Sequence, residues 1–145
     1  MRIFSTFLLG ILLLAATGWE TDLDTAKEKA KKQDKYILLN FSGSDWCIPC
    51  IRMHKNIFES PDFTAYADSN LILVNADFPR LKKNGLSKDQ QKKNDKLAEK
   101  YNPEGNFPLT LLMDKEGKVI KSWVGYPSLT AAAFTAQVKS AIDAR

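Results

Sequence analysis

Hydrophobic and polar positions along the chain fall into blocks of two different periods. Thr21 to Gln33 is polar and rich in helix formers. Its acids stand at the start and its lysines near the end, which complements a helix dipole and predicts a helix. Tyr36-Ile-Leu-Leu-Asn-Phe41 is a short apolar run, the mark of a buried strand, and Ser42-Gly-Ser-Asp45 is a turn. The stretch from Cys50 to about Phe58 predicts a helix, with Pro61 beyond its end. Leu71-Ile-Leu-Val-Asn-Ala76 is a second apolar strand, and strand, helix and strand in this order predict a right-handed crossover between parallel strands.

Residues 79–100 are polar and lysine-rich, and their second half, Ser87 to Tyr101, predicts a helix with Ser87 as its N-cap. Asn102 to Asn106 is a loop. Leu109–Met113 and Lys118–Val124 flank Asp114-Lys-Glu-Gly117 and predict an antiparallel hairpin. Ser128 to Arg145 is an alanine-rich amphipathic helix with Leu129, Phe134, Val138 and Ile142 as its buried side. The order α-β-α-β-α-β-β-α describes an α/β domain in which a central mixed sheet lies between two helical layers.

Residues 1–18, MRIFSTFLLGILLLAATG, stand apart from this pattern. Arg2 precedes the apolar run Phe7–Ala16, and small residues follow, the layout of a secretory signal peptide cleaved after Gly18. A run of ten falls short of the roughly 20 residues a membrane span needs. The expected domains are therefore a signal peptide over 1–18 and a single domain over 19–145, with a lysine-rich insertion at about 79–100. The expected location is periplasmic or secreted.

The composition, 44% hydrophobic and 26% charged, excludes disordered and fibrous classes. The net charge of +4 is too mild to indicate nucleic-acid binding, but it is unevenly spread. Arg80 to Lys100 holds eight basic and three acidic residues, a net +5, which leaves the rest of the chain after Gly18 at −2. The segment is either a solvated face or a docking surface for an acidic partner. Nucleic acid is not expected there, because the interleaved aromatics of a stacking surface are missing. Phe58, Phe63, Tyr66 and Phe78 are expected to pack in the core or under loops.

The two cysteines lie in one tetrapeptide, Cys47-Ile-Pro-Cys50, where a strand ends and a helix begins. A cysteine at a helix N-terminus faces unpaired N–H groups and the positive end of the dipole, which favour thiolate over thiol. Cys47, nearest the helix end and expected to be the exposed one, is assigned as the attacking nucleophile. Cys50, one turn on, is assigned as the residue that resolves a mixed disulfide. Trp46, Ile48 and Pro49 support the site; Pro49 occupies the first turn, where its missing N–H is not needed. A static disulfide is the alternative, but closing so short a ring contributes only roughly 2 kcal/mol. A zinc site would have Cys47, Cys50 and His54 as ligands, one short of the usual set. Covalent haem attachment would need His where Ile51 stands.

The segment Phe41-Ser-Gly-Ser-Asp-Trp-Cys-Ile-Pro-Cys50, with Asn106-Phe-Pro-Leu-Thr-Leu-Leu-Met113 and Asp114-Lys-Glu-Gly-Lys118, resembles the thioredoxin-like superfamily, in particular the exported thiol–disulfide oxidoreductases of bacteria. The resemblance covers roughly residues 21–144. It implies a three-layer α/β/α thioredoxin-like fold, no cofactor and no metal. It implies that Pro108 is a cis-proline facing the cysteines and that Phe107 and Pro108 bind substrate; the plain alternative is a trans proline opening an edge strand. The chain departs from the family at the buried Asp and nearby Lys that move the resolving cysteine's proton, where Asn40 and Leu73 stand. Asn is no proton acceptor at neutral pH, so water or Asp45 would have to substitute, while Asp45 would also oppose a thiolate at Cys47.

Ile-Pro between the cysteines is more like the family's reductants than its oxidants, which often carry a His there. The expected partners are protein thiols and disulfides, with a membrane thiol transporter as electron donor. The alternative function is a non-enzymatic metal-binding or adaptor module on the same fold.

Overall fold

The computed structural model describes residues 18–145. The signal peptide expected over 1–18 therefore lies, Gly18 apart, outside the described residues. Helix α1 (Leu23–Gln33) starts where Asp22 accepts a hydrogen bond from the Thr25 N–H, and it ends on Asp34 in the left-handed conformation. Strand β1 (Tyr36–Ser42) leads into the turn that carries the tetrapeptide. Helix α2 (Ile48–Met53) runs on into a π-helical stretch, His54–Phe58. Then come α3 (Pro61–Asn70), β2 (Leu71–Asp77), a 3-10 turn at Lys82–Asn84 and α4 (Lys88–Tyr101). Strands β3 (Leu109–Met113) and β4 (Val119–Val124) and helix α5 (Ala131–Asp143) complete the chain.

Helix α3 corrects the expected order, which placed no helix between Phe58 and Leu71. Pro61 does stand past the end of the stretch that closes at Phe58, and it also occupies the first turn of the next helix, where its fixed φ is preorganised and its N–H is not required. The segment before it widens to π pitch.

The strand order is β2-β1-β3-β4. Strand β1 pairs parallel with β2, Asn40 opposite Asn75, and antiparallel with β3, Asn40 opposite Thr110. Glu20 adds a parallel bridge at Val74 on the outer side of β2. The alternation along β1 sorts the core into two layers. Ile37, Leu39 and Phe41 pack toward α1 and α4 with Leu23, Ala26, Ala30, Val74 and Leu111. Leu38 packs on the other face with Met53, Ile57, Phe63, Phe134 and Val138 from α2, the π stretch, α3 and α5. In α5 Phe134 and Val138 are buried, as expected, whereas Leu129 precedes the helix and is only partly covered, as is Ile142. No helix among the described residues is long and apolar enough to cross a membrane.

Candidate functional site

The tetrapeptide closes the turn after β1. Cys47 is the N-cap of α2, with extended φ and ψ, and the Cys50 N–H donates to its sulfur at 3.3 Å. One of the helix's free donors therefore already points at the sulfur that would carry negative charge once reduced. The two sulfurs form a disulfide with a Cα–Cα distance of 5.2 Å. Cys47 is 4% exposed and Cys50 3%, so exposure does not separate the two, contrary to the expectation for Cys47. Capping turns the Cys47 side chain inward over the helix end, and what separates the cysteines is position: Cys47 caps, Cys50 lies within the first turn. Ile48, 56% exposed, and Pro49 form the outward face beside the pair.

The Phe107–Pro108 peptide is cis. Trp46 connects this segment to the turn: its ring meets Phe107 edge-on at 5.5 Å, and its indole N–H donates to the Phe78 carbonyl at 2.7 Å. Gly43 makes room for the indole, since a Cβ there would stand 2.3 Å from Trp46 Cε2.

Two carboxylates fasten the turn to the segment after β2. Asp77 accepts from the Ser44 N–H at 2.9 Å and from the Ser44 hydroxyl at 2.5 Å. In the reverse direction Asp45 accepts from the N–H groups of Arg80 and Leu81, at 2.9 and 3.0 Å, and from Asn84 Nδ2 at 3.0 Å. These donors, the Arg80 N–H foremost, hold the Asp45 carboxyl below the usual carboxylate range. Asp45 is thus a structural strap, and the expectation that it substitutes as proton acceptor is not supported by its environment. The sequence shows Asp45 and Asp77, but not that each meets the other's loop, because the partners lie 33 to 39 residues apart.

Asn40 is buried behind the site. It donates to Asn75 Oδ1 at 3.3 Å and accepts from the Thr110 hydroxyl at 3.1 Å, while Thr110 also approaches the Met53 sulfur at 3.9 Å. This neutral triad has no ionisable member, and none of its buried side-chain polar atoms lacks a partner. Leu73 pairs with Leu38 in the apolar core, where no cation stands. A groove of about 470 Å³ lies beside the pair, lined among others by Ser42, Cys50, His54, Glu59 and Asn75. His54 is exposed, lies 3.5 Å from Glu59 and touches Trp19. Among the described residues no group of three or more His, Cys, Asp or Glu could hold a metal ion.

The family model described as a thioredoxin-like domain matches residues 23–142. The disulfide bond reductase DsbH of Chlamydia pneumoniae is 38% identical over 127 residues, which is 88% of this chain and 74% of that protein. A solved structure described as DsbH oxidoreductase superposes with a TM-score of 0.80 at 33% identity, covering 100% of this chain and 95% of its own. A thioredoxin from Thermus thermophilus has the same fold, with a TM-score of 0.63 at 12% identity over 86% of this chain and 85% of its own.

Proposed function

From the premise that the chain belongs to the thioredoxin-like domain family and is a thiol–disulfide oxidoreductase with Cys47 and Cys50 as its redox pair, we propose that it works as a reductant of protein disulfides. The observation that carries the exchange chemistry, with Cys47 as the attacking sulfur, is the Cys47 sulfur capping α2, where the Cys50 N–H meets it; the direction rests on other grounds. In the reduced protein the Cys47 thiolate attacks one sulfur of a substrate disulfide. The Cys47–substrate bond forms, the substrate S–S bond breaks, and the departing sulfur takes a proton. Cys50 then gives up its proton to solvent and attacks Cys47 Sγ. The internal disulfide forms and the second substrate sulfur leaves, so two electrons pass to the substrate, whose two sulfurs take their protons from water. Trp46, Ile48 and Pro49 support the pair, and Phe107 and Pro108 take the substrate backbone.

The direction is supported by likeness to a protein named a disulfide bond reductase and by the missing His between the cysteines. The mature chain acts outside the cytoplasm after loss of residues 1–18. A membrane thiol transporter returns its electrons, and the basic 80–100 segment meets an acidic partner.

Equilibration of residues 19–145 with dithiol and glutathione buffers tests the direction. A potential near about −270 mV is expected for a reductant; one near about −120 mV marks a disulfide donor and overturns the proposal. Cys50→Ser should trap a mixed disulfide with substrate at Cys47, and Cys47→Ser should trap none.

A further inference from the structure

Arg80 follows directly on the segment that is fastened to the active-site turn. The Phe78 carbonyl is held by Trp46, and the Arg80 and Leu81 N–H groups are held by Asp45. With its backbone fixed, the Arg80 side chain folds back over the residue before Cys47: its guanidinium carbon lies 3.6 Å from the Trp46 ring centroid. Stacking occupies the flat face of a guanidinium and leaves its N–H donors at the edge. No carboxylate among the described residues pairs with it, because Asp45, the nearest candidate in the turn, accepts backbone N–H groups instead. An oriented, unpaired planar cation therefore stands beside the nucleophile's own turn.

Its neighbours along the chain have the same sign, although the Asp45 carboxylate, taken up by backbone N–H groups, lies close by. From Phe78 to Lys88 the chain carries Arg80, Lys82, Lys83 and Lys88 and no acid. By contrast Lys93, farther along, is already engaged by Asp22 at 2.7 Å.

We propose that Arg80 is a specificity-determining residue that receives an Asp or Glu side chain next to the substrate's cysteine, so that the enzyme prefers disulfides flanked by acidic residues. The inference rests on the oxidoreductase reading above, and it narrows the acidic partner of the basic segment to the substrate itself. Planar bidentate pairing with a carboxylate is the contact for which a guanidinium is shaped and an ammonium is not.

The test uses two peptide disulfides that differ only in Glu or Lys beside the cysteine, reduced by residues 19–145 at low salt, with kcat/KM read from thiol release. The unaltered protein should favour the Glu peptide. Arg80→Ala should lower the Glu-to-Lys ratio about threefold, within the range of an exposed ion pair, mostly through KM. Arg80→Lys should give an intermediate ratio, and Arg80→Glu should reverse the preference. The ratio is read within each protein, so partial loss of activity through misfolding does not mask it. An identical ratio in all four proteins overturns the proposal. Failure of the unaltered protein to reduce a small uncharged disulfide is a different result: it overturns the oxidoreductase reading.

Discussion

Gly43 shows how much one missing methyl can decide. A Cβ there would run into three atoms of the Trp46 indole, the nearest at 2.3 Å, and a ring held by a hydrogen bond to Phe78 has little freedom to retreat. Gly43→Ala is expected to cost about 1–3 kcal/mol by overpacking, read as a lower urea midpoint together with altered tryptophan fluorescence. Asn40 bears a second prediction. Asn40→Asp places a carboxyl in a buried site whose neighbours are Asn75 and Thr110, and burial raises its folded pKa above about 3.9. A raised folded pKa means that stability is kept below the unfolded value and lost as pH rises through the folded one. The variant's urea midpoint should fall between pH 4 and 8 relative to the unaltered protein; a constant difference would contradict this. At this scale the cysteine pair was legible from spacing alone, since a helix start after a strand follows from local pattern. The partners of Asp45, Asp77 and Asn40 were not, because each is set by register between strands and loops far apart in sequence.

Between elements, the contact of α1 with α4 runs through a capping residue. Asp22 caps α1 and also receives Lys93 of α4; the Lys93 hydrogen bond, then the Thr25 N–H, lower its pKa to about 2. A depressed folded pKa means that the stabilisation is present above the unfolded value of about 3.9 and is lost as pH falls toward 2. Lys93→Met should raise the Asp22 pKa while leaving it below 3.9, since the cap remains, and should shift the acid limb of unfolding upward. The cost at neutral pH stays under about 1 kcal/mol, because water screens so exposed a pair. NMR titration of the Asp22 carboxyl checks both parts. The strands and α5 were readable from their apolar patterns, and α1 and α4 from helix formers, capping residues and the placing of charge. Helix α3 was not: only Phe63 and Ala67 of its ten residues are buried, so its periodic signal is faint. The available sign was Ser60-Pro61-Asp62, an N-cap followed by proline at the first helical position.

For the whole molecule, β1 supplies residues to both core layers, so neither layer can open alone. Leu39→Ala on the α1/α4 side and Leu38→Ala on the other should each cost about 2–5 kcal/mol and lower one common unfolding transition. Two separate transitions, seen by calorimetry in either variant, would show the layers to be independent. The three-layer arrangement followed from element order, because a mixed sheet with apolar strands must be covered on both sides. The charge division between the 80–100 segment and the remainder was also visible in the sequence; its attachment to the redox turn was not.

That attachment, Asp45 gripping residues 80–84 while Asp77 grips Ser44, limits how the site can be transplanted or evolve. A graft of Cys-Ile-Pro-Cys onto another scaffold would leave behind the hydrogen bonds that tie its turn to residues 77–84. Deleting residues 80–84 would likewise strand the Asp45 carboxylate two residues before Cys47. The two stretches form one heritable unit, and exchanges between related genes with a breakpoint between residues 46 and 77 should be selected against.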